Sequence, residues 1–141
     1  MHLHTFHRCL LLAQTVMQKY IMAETAQRGM LPGQSKILDY LAEHDGCEQK
    51  TLGTVFHLEA ATVTGILRRM EEAGLTERRI QEGNRKSQYV FLTEHGKKVV
   101  QEIVQPILYG AETKALEGFT EEETERLIEY LRRIYCNMTK G

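Results

Sequence analysis

The stretch that most constrains this chain runs from Glu48 to Thr93. Within it, Thr62 to Leu75 reads as an amphipathic helix. Val63, Ile66, Leu67 and Met70 recur at three- and four-residue spacing and share one apolar face. Gly74 supplies a residue free to adopt positive φ just past the helix, with Leu75 placed to pack back on it. A short helix over Glu48 to Phe56 precedes it, with Leu52, Val55 and Phe56 inward, and Leu58 closes the turn between the two. After it come two extended runs, TERRIQ and QYVFLT, joined by a polar turn around Gly83 and Asn84. By strand alternation Tyr89 and Phe91 share one face and Val90 and Leu92 the other.

A helix, a tight turn, a second helix and a hairpin form the layout of a winged helix-turn-helix. The expected fold is therefore mainly α with a small β-hairpin wing, its core flanked by long N- and C-terminal helices. Such a module implies duplex DNA as the partner. Charge supports this only weakly. The net charge is −1, and from Glu48 to Thr93 seven Lys and Arg face six acids. Within the hairpin, Arg78, Arg79, Arg85 and Lys86 outnumber Glu77 and Glu82, so positive charge gathers at the wing.

The flanks are long and apolar. Residues 3 to about 27 read as one helix, on which Leu3, Phe6, Leu10, Ala13, Met17 and Tyr20 form a seam that Leu11, Leu12, Val16 and Ile21 widen. A helix apolar on more than one side must bury against two things, and a small winged core cannot cover this one. Pro32 is expected in the first turn of the next helix, which carries Ile37, Leu38 and Leu41, and Cys47 in a short extended link as a small buried residue. Thr93 is a plausible N-cap for a helix through Val99, Val100, Ile103, Val104, Ile107 and Leu108, which Pro106 should bend. Thr120 with Glu123 makes a capping box for a last helix carrying Leu127, Leu131, Ile134 and Met138.

Hydrophobic residues make up 42% and charged residues 26%, an ordinary globular balance for a chain of 141 residues. The longest apolar run, Cys9 to Ala13, is too short for a membrane span or a signal core, so no membrane partner and a cytoplasmic location are expected. Three distant cysteines fit no disulfide framework.

The combination resembles the MarR family of bacterial transcriptional regulators. The residues that carry the resemblance are ATVTGILRRMEEAGLTERR from Ala61 to Arg79 and NRKSQYVFLTEHGKKV from Asn84 to Val99. It covers nearly the whole chain, 1–141, as one domain. It implies a DNA-binding lobe over 31–93 and dimerisation helices over 1–28 and 94–141, with Leu3, Phe6, Leu10, Leu127, Leu131 and Ile134 at the homodimer interface. Relatives insert the recognition helix in a major groove and the wing in a minor groove. Carried over, Ala60, Ala61, Thr62, Thr64 and Arg68 would face the groove, Lys50 and Thr51 would meet phosphates, and Arg85 and Lys86 would serve the wing. Two departures stand out. The family's Asp-x-Arg near the wing tip is replaced by Asn84, Arg85 and Lys86, and Ala60, Ala61 and Gly65 stand where relatives often carry polar side chains. Readout is therefore expected to rest on phosphates, methyl contacts and DNA shape.

The resemblance also implies a repressor released by a small, often aromatic or phenolic ligand, in a crevice for which Met17, Met30 and Tyr40 are candidates. The alternatives are a winged-helix scaffold for a protein partner, and a redox- or metal-responsive regulator. Cys9 is expected to be buried among leucines and inert. His2, His4 and His7 cluster at a terminus that is usually frayed. No nucleophile-base pair, phosphate loop or paired carboxylates appear, so neither an enzyme, a cofactor nor a metal is expected.

Overall fold

The computed structural model describes residues 3–81 and 83–140, with the side chains of residues 3, 4, 81 and 84–86 outside the description. Helix α1 spans Leu3–Ala26, α2 Gln34–Glu43, α3 Gln49–Phe56 and α4 Ala60–Glu72. Strand β1, Cys47–Glu48, lies between α2 and α3, and β2 (Thr76–Gln81) and β3 (Asn84–Leu92) form the wing. Helix α5 (Glu94–Val99) runs through a π-helical segment, Val100–Val104, into α6 (Gln105–Ala115), and α7 spans Glu121–Thr139.

The buried centre of the lobe is a single cluster. Ile37, Leu38 and Leu41 of α2, Leu52 of α3, and Val63, Leu67 and Met70 of α4 meet Val90 and Leu92 of β3. Met30 before α2 and Val100 and Val104 after α5 belong to the same cluster. The three- and four-residue spacing read in the sequence thus becomes one apolar face on each helix, as burial requires.

The wing is a three-stranded antiparallel sheet in the order β1-β3-β2. The extended link at Cys47 pairs with Val90. The stretch expected to be a polar turn is shorter than the sequence suggested, because residues 84–87 already belong to β3 and the register slips at Ile80 and Gln81. Pairing resumes past the bulge at Gln81 and Asn84, so the extra residues lie in β3.

Helix ends follow their local chemistry. Past α4, Leu75 N–H bonds to Met70 O at 2.9 Å and Gly74 N–H to Glu71 O at 2.9 Å, with Gly74 at φ 74°. This is a Schellman ending, and it turns the chain straight into β2. Thr93 caps α5 by accepting from Gly96 N–H at 2.9 Å. Both halves of the Thr120–Glu123 capping box are present, and its hydrogen bonds hold the exposed Glu123 carboxyl below the usual range. Pro32 does not enter the first turn of α2. It lies in the preceding turn, where Gly33 at φ 87° serves as N-cap and the Gln34 side chain accepts from Leu31 N–H. Pro106 sits in the first turn of α6, just after the π-helical segment. A proline ring clashes with the carbonyl four residues back, and the wider π turn around Glu102 makes room for it.

The flanking helices are bare. Phe6, Leu10, Leu11, Leu12 and Val16 are exposed along α1, which packs chiefly on α6, and no residue of α7 is fully buried. Leu131 and Met138 are exposed, and Leu127 and Ile134 are half-buried. Cys9, expected to be buried, is exposed, because nothing in its own chain covers that side of α1. Leu3 and the His2–His4 part of the N-terminal cluster lie outside the described residues or side chains, and His7 is exposed. Among the described residues, no helix is long and apolar enough to cross a membrane.

Gly96 is where α5 rests on the recognition unit. A Cβ there would lie 2.0 Å from Leu75 O, a backbone atom that cannot swing away. Gly96→Ala gains helix propensity of about 1 kcal/mol, but overpacking against backbone outweighs it. A net loss of about 3 kcal/mol or more is expected in urea unfolding. Unchanged stability would show that α5 does not sit this close.

Candidate nucleic-acid interface

Helix α4 separates its residues cleanly. Val63, Leu67 and Met70 are buried, while Ala60, Ala61, Thr62, Thr64 and Arg68 are exposed on the outer side. The turn that aims it is tight. His57 ends α3 in the left-handed region at φ 53°, a conformation His tolerates better than most side chains, and Leu58 N–H bonds to Gly53 O at 2.9 Å. Glu59 then stands as N-cap without a side-chain cap bond.

A groove of about 660 Å³ opens between the start of α3, the start of α4 and the wing strands. Lys50, Ala60 and Thr64 line it, together with Gln49, Arg78, Ser87 and Gln88. Thr51, half-buried, does not line it, and Ala61, Thr62 and Arg68 are exposed on α4 outside it. Lys50 is 81% exposed and pairs with Glu48 at 3.5 Å, a contact worth little in water. Arg68 reaches Glu72 at only 4.0 Å and is open.

Two expectations change here. Thr64, expected to face the groove, lines it, but its hydroxyl is already engaged, donating to Ala60 O at 3.0 Å and accepting from Gln49 Nε2 at 3.1 Å. The cations read as a wing patch are partly turned inward. Arg78 pairs with Glu71 of α4 and donates to Gln49 Oε1 at 3.2 Å. Arg79 pairs with Glu77 and lies over the Phe91 ring, 4.3 Å from its centroid. The side chains of Arg85 and Lys86 lie outside the described residues.

Sequence reasoning passed over Gln49. The one available signal was a long amide at the start of α3, which spacing alone does not distinguish from a surface residue.

Of the candidate crevice residues, Met30 is buried in the core, Tyr40 stacks on His44 at 4.1 Å between ring centroids, and Met17 is half-buried on α1. None of the three lines either described cavity; the smaller lies between α1 and α6 at Tyr20, Glu24, Arg28 and Pro106. Burial, with a smaller push from the Asp45 carboxylate, raises the Cys47 thiol above its ordinary value, which suits a packed, inert side chain. Among the described residues, no group of three or more His, Cys, Asp or Glu is placed to hold a metal.

Known proteins share this arrangement. Residues 32–88 match the model of the MarR family. The HTH-type transcriptional regulator YybA of Bacillus subtilis (strain 168), itself uncharacterized, is 30% identical over 108 residues, 77% of this chain and 71% of that protein. The chain belongs to the MarR family. Solved structures agree across the flanking helices as well. The transcriptional regulator SlyA superimposes with a TM-score of 0.84 at 25% identity, over 94% of this chain and 93% of that one. A protein of Listeria monocytogenes, assigned to MarR-type regulators and solved with a 26-mer DNA, gives 0.87 at 22% identity, over 93% and 87% of the two chains. That second likeness carries the fold. This MarR-family chain and the proteins it resembles are thus transcriptional regulators.

The inward arginine has a measurable consequence. Arg78→Met leaves the Glu71 carboxylate and the Gln49 amide oxygen unpaired in a partly buried site, and should cost about 1–2 kcal/mol in urea unfolding. Arg79→Met, at an exposed pair, should stay within about 0.5 kcal/mol. Equal effects would count against the inward role of Arg78.

Proposed function

We propose that this MarR-family regulator is a homodimeric DNA-binding repressor acting on a pseudo-palindromic operator. The observation that carries the reading is the exposed outer side of α4, with Ala60, Ala61, Thr62 and Arg68 open while its inner side is sealed. Arg68 is the strongest candidate for a guanine edge or phosphate, and Lys50 and Thr51 for the backbone. Arg85 and Lys86 are assigned to the wing's contact. Two-fold symmetry would set half-sites about 10 bp apart.

The lobe over 31–93 is the DNA reader in this proposal, and 1–28 and 94–141 hold the dimer. The bare faces of α1 and α7 support the second part, since exposed apolar surface of this extent marks an interface. Leu3, Phe6, Leu10, Leu127, Leu131 and Ile134 are the residues assigned to it. Release by a small aromatic or phenolic ligand rests on family membership. Met17 and Tyr40 are its candidate contacts, and Met30 would be reached only by opening the core. A ligand of this kind acts only if it binds one lobe spacing better than the other.

Mobility-shift titration of a duplex enriched by the protein from a random library, at several salt concentrations, tests the DNA reading. Affinity should fall steeply with salt, and Arg85→Ala with Lys86→Ala should reduce the log–log slope by about 2. No shift at low salt would leave the protein-scaffold reading in its place. Sedimentation tests the assembly. Leu127→Lys with Leu131→Lys should convert a dimer to a folded monomer that no longer shifts the duplex; a wild-type monomer at micromolar concentration would overturn the homodimer.

A further inference from the structure

One polar chain crosses the groove and joins three elements, β2, α3 and α4. At its outer end Arg78, in β2, pairs with Glu71 near the end of α4. The same guanidinium donates to Gln49 Oε1 at 3.2 Å, at the first position of α3. Gln49 Nε2 donates in turn to Thr64 Oγ1 at 3.1 Å, and the Thr64 hydroxyl donates to Ala60 O at 3.0 Å in the first turn of α4.

The polarity of this chain is consistent from end to end. Arg78 can only donate, so it must meet the amide oxygen of Gln49. A flipped amide would set N–H against N–H there. The Thr64 hydroxyl hydrogen is engaged with Ala60 O, so towards Gln49 it must accept, and the Gln49 amide nitrogen is the donor facing it. Position 49 therefore needs a group that accepts on one side and donates on the other. A carboxylate there lacks the donor, a leucine lacks both, and an asparagine is shorter by one methylene. Arg78 and Glu71 have side chains only 23% and 32% exposed, so the Arg78 end of this chain is sheltered and its bonds are stronger than surface contacts, while the Thr64 end is exposed.

We propose that Gln49 is a positioning residue for DNA recognition. It fixes the distance between the wing root and the N-terminal turn of the recognition helix, and so matches the two to their grooves. Gln49 acts through Thr64 and Arg78 and makes no base contact of its own. The inference rests on the DNA-reading proposal above. It also makes a claim about the free protein, namely that the wing and the α4 turn are held together before any DNA arrives.

The experiment uses the full chain with Gln49→Leu, which removes both arms, Thr64→Val, which removes one, and the double variant. Hydrogen exchange is read on the free protein. Binding is read on two probes, the duplex that the wild type enriches from a random library and a mixed-sequence duplex. Gln49→Leu should speed exchange of the β2 amides roughly tenfold while those of Leu38 and Leu41 keep the wild-type rate. Each single variant should weaken binding to the enriched duplex, Gln49→Leu by roughly tenfold, and the double variant should be no weaker than Gln49→Leu alone. For Gln49→Leu, mixed-sequence binding and its salt slope should not move. Additive losses in the double variant, or wild-type exchange in β2, would overturn the proposal. So would an equal loss on both duplexes, since Gln49 would then be touching phosphate directly. If the wild type enriches no duplex, the DNA reading fails, and the exchange measurement still decides whether Gln49 holds the wing.

Discussion

The Leu75 carbonyl is the point on which the lobe turns. It accepts from Thr93 N–H at 3.1 Å and from the Thr93 hydroxyl at 3.2 Å, while Gly96 presses against it closely enough to exclude any side chain. Three things meet there: the end of the recognition helix, the root of both wing strands and the first turn of α5. Because backbone touches backbone, the junction has little freedom. The angle at which α5 leaves the lobe is set within a few residues of the helix that faces the groove. Any change in the flanking helices therefore reaches the reading surface through a short, stiff path.

Beyond that junction the stabilising forces divide by region. The lobe is held by ordinary core burial, with Ile37, Leu38, Leu41, Leu52 and Leu67 fully enclosed. The flanks are not. An α7 with an N-terminal capping box and no fully buried residue is well started but rests little on its own chain. In proteins most helical stability comes from the packing of an amphipathic face, so apolar surface from outside the chain is what would keep it in place. The π-helical segment before Pro106 lies where the two regimes join, and Val100 and Val104 within it still belong to the lobe's core.

Electrostatics redistribute the cations of the reading face. Of the hairpin cations, Arg78 is committed to Glu71 and Gln49, and Arg79 to Glu77 and Phe91. Among the described side chains of α3 and α4, Lys50 and Arg68 are exposed and each only loosely paired, and Arg69 is exposed as well. A near-neutral chain can still present a positive surface of this small size, but its long-range attraction to DNA would be modest.

Much of this protein was legible in its sequence. Helical spacing over Val63, Leu67 and Met70, the Gly74–Leu75 ending, the Thr93 and Thr120 caps and the alternation of Val90 and Leu92 are local signals, and local signals act over one or two turns of chain. The sequence alone determined the order of elements, the inward faces and the family. What it left open depends on residues far apart in the chain. The partnership of Gln49 with Thr64 and Arg78 spans 15 and 29 positions, and no periodicity encodes it. The inward turn of Arg78, the exposure of Cys9 and the extension of β3 through residues 84–87 are of the same kind. Each is settled by which surface the fold brings opposite, and only the tertiary structure decides that.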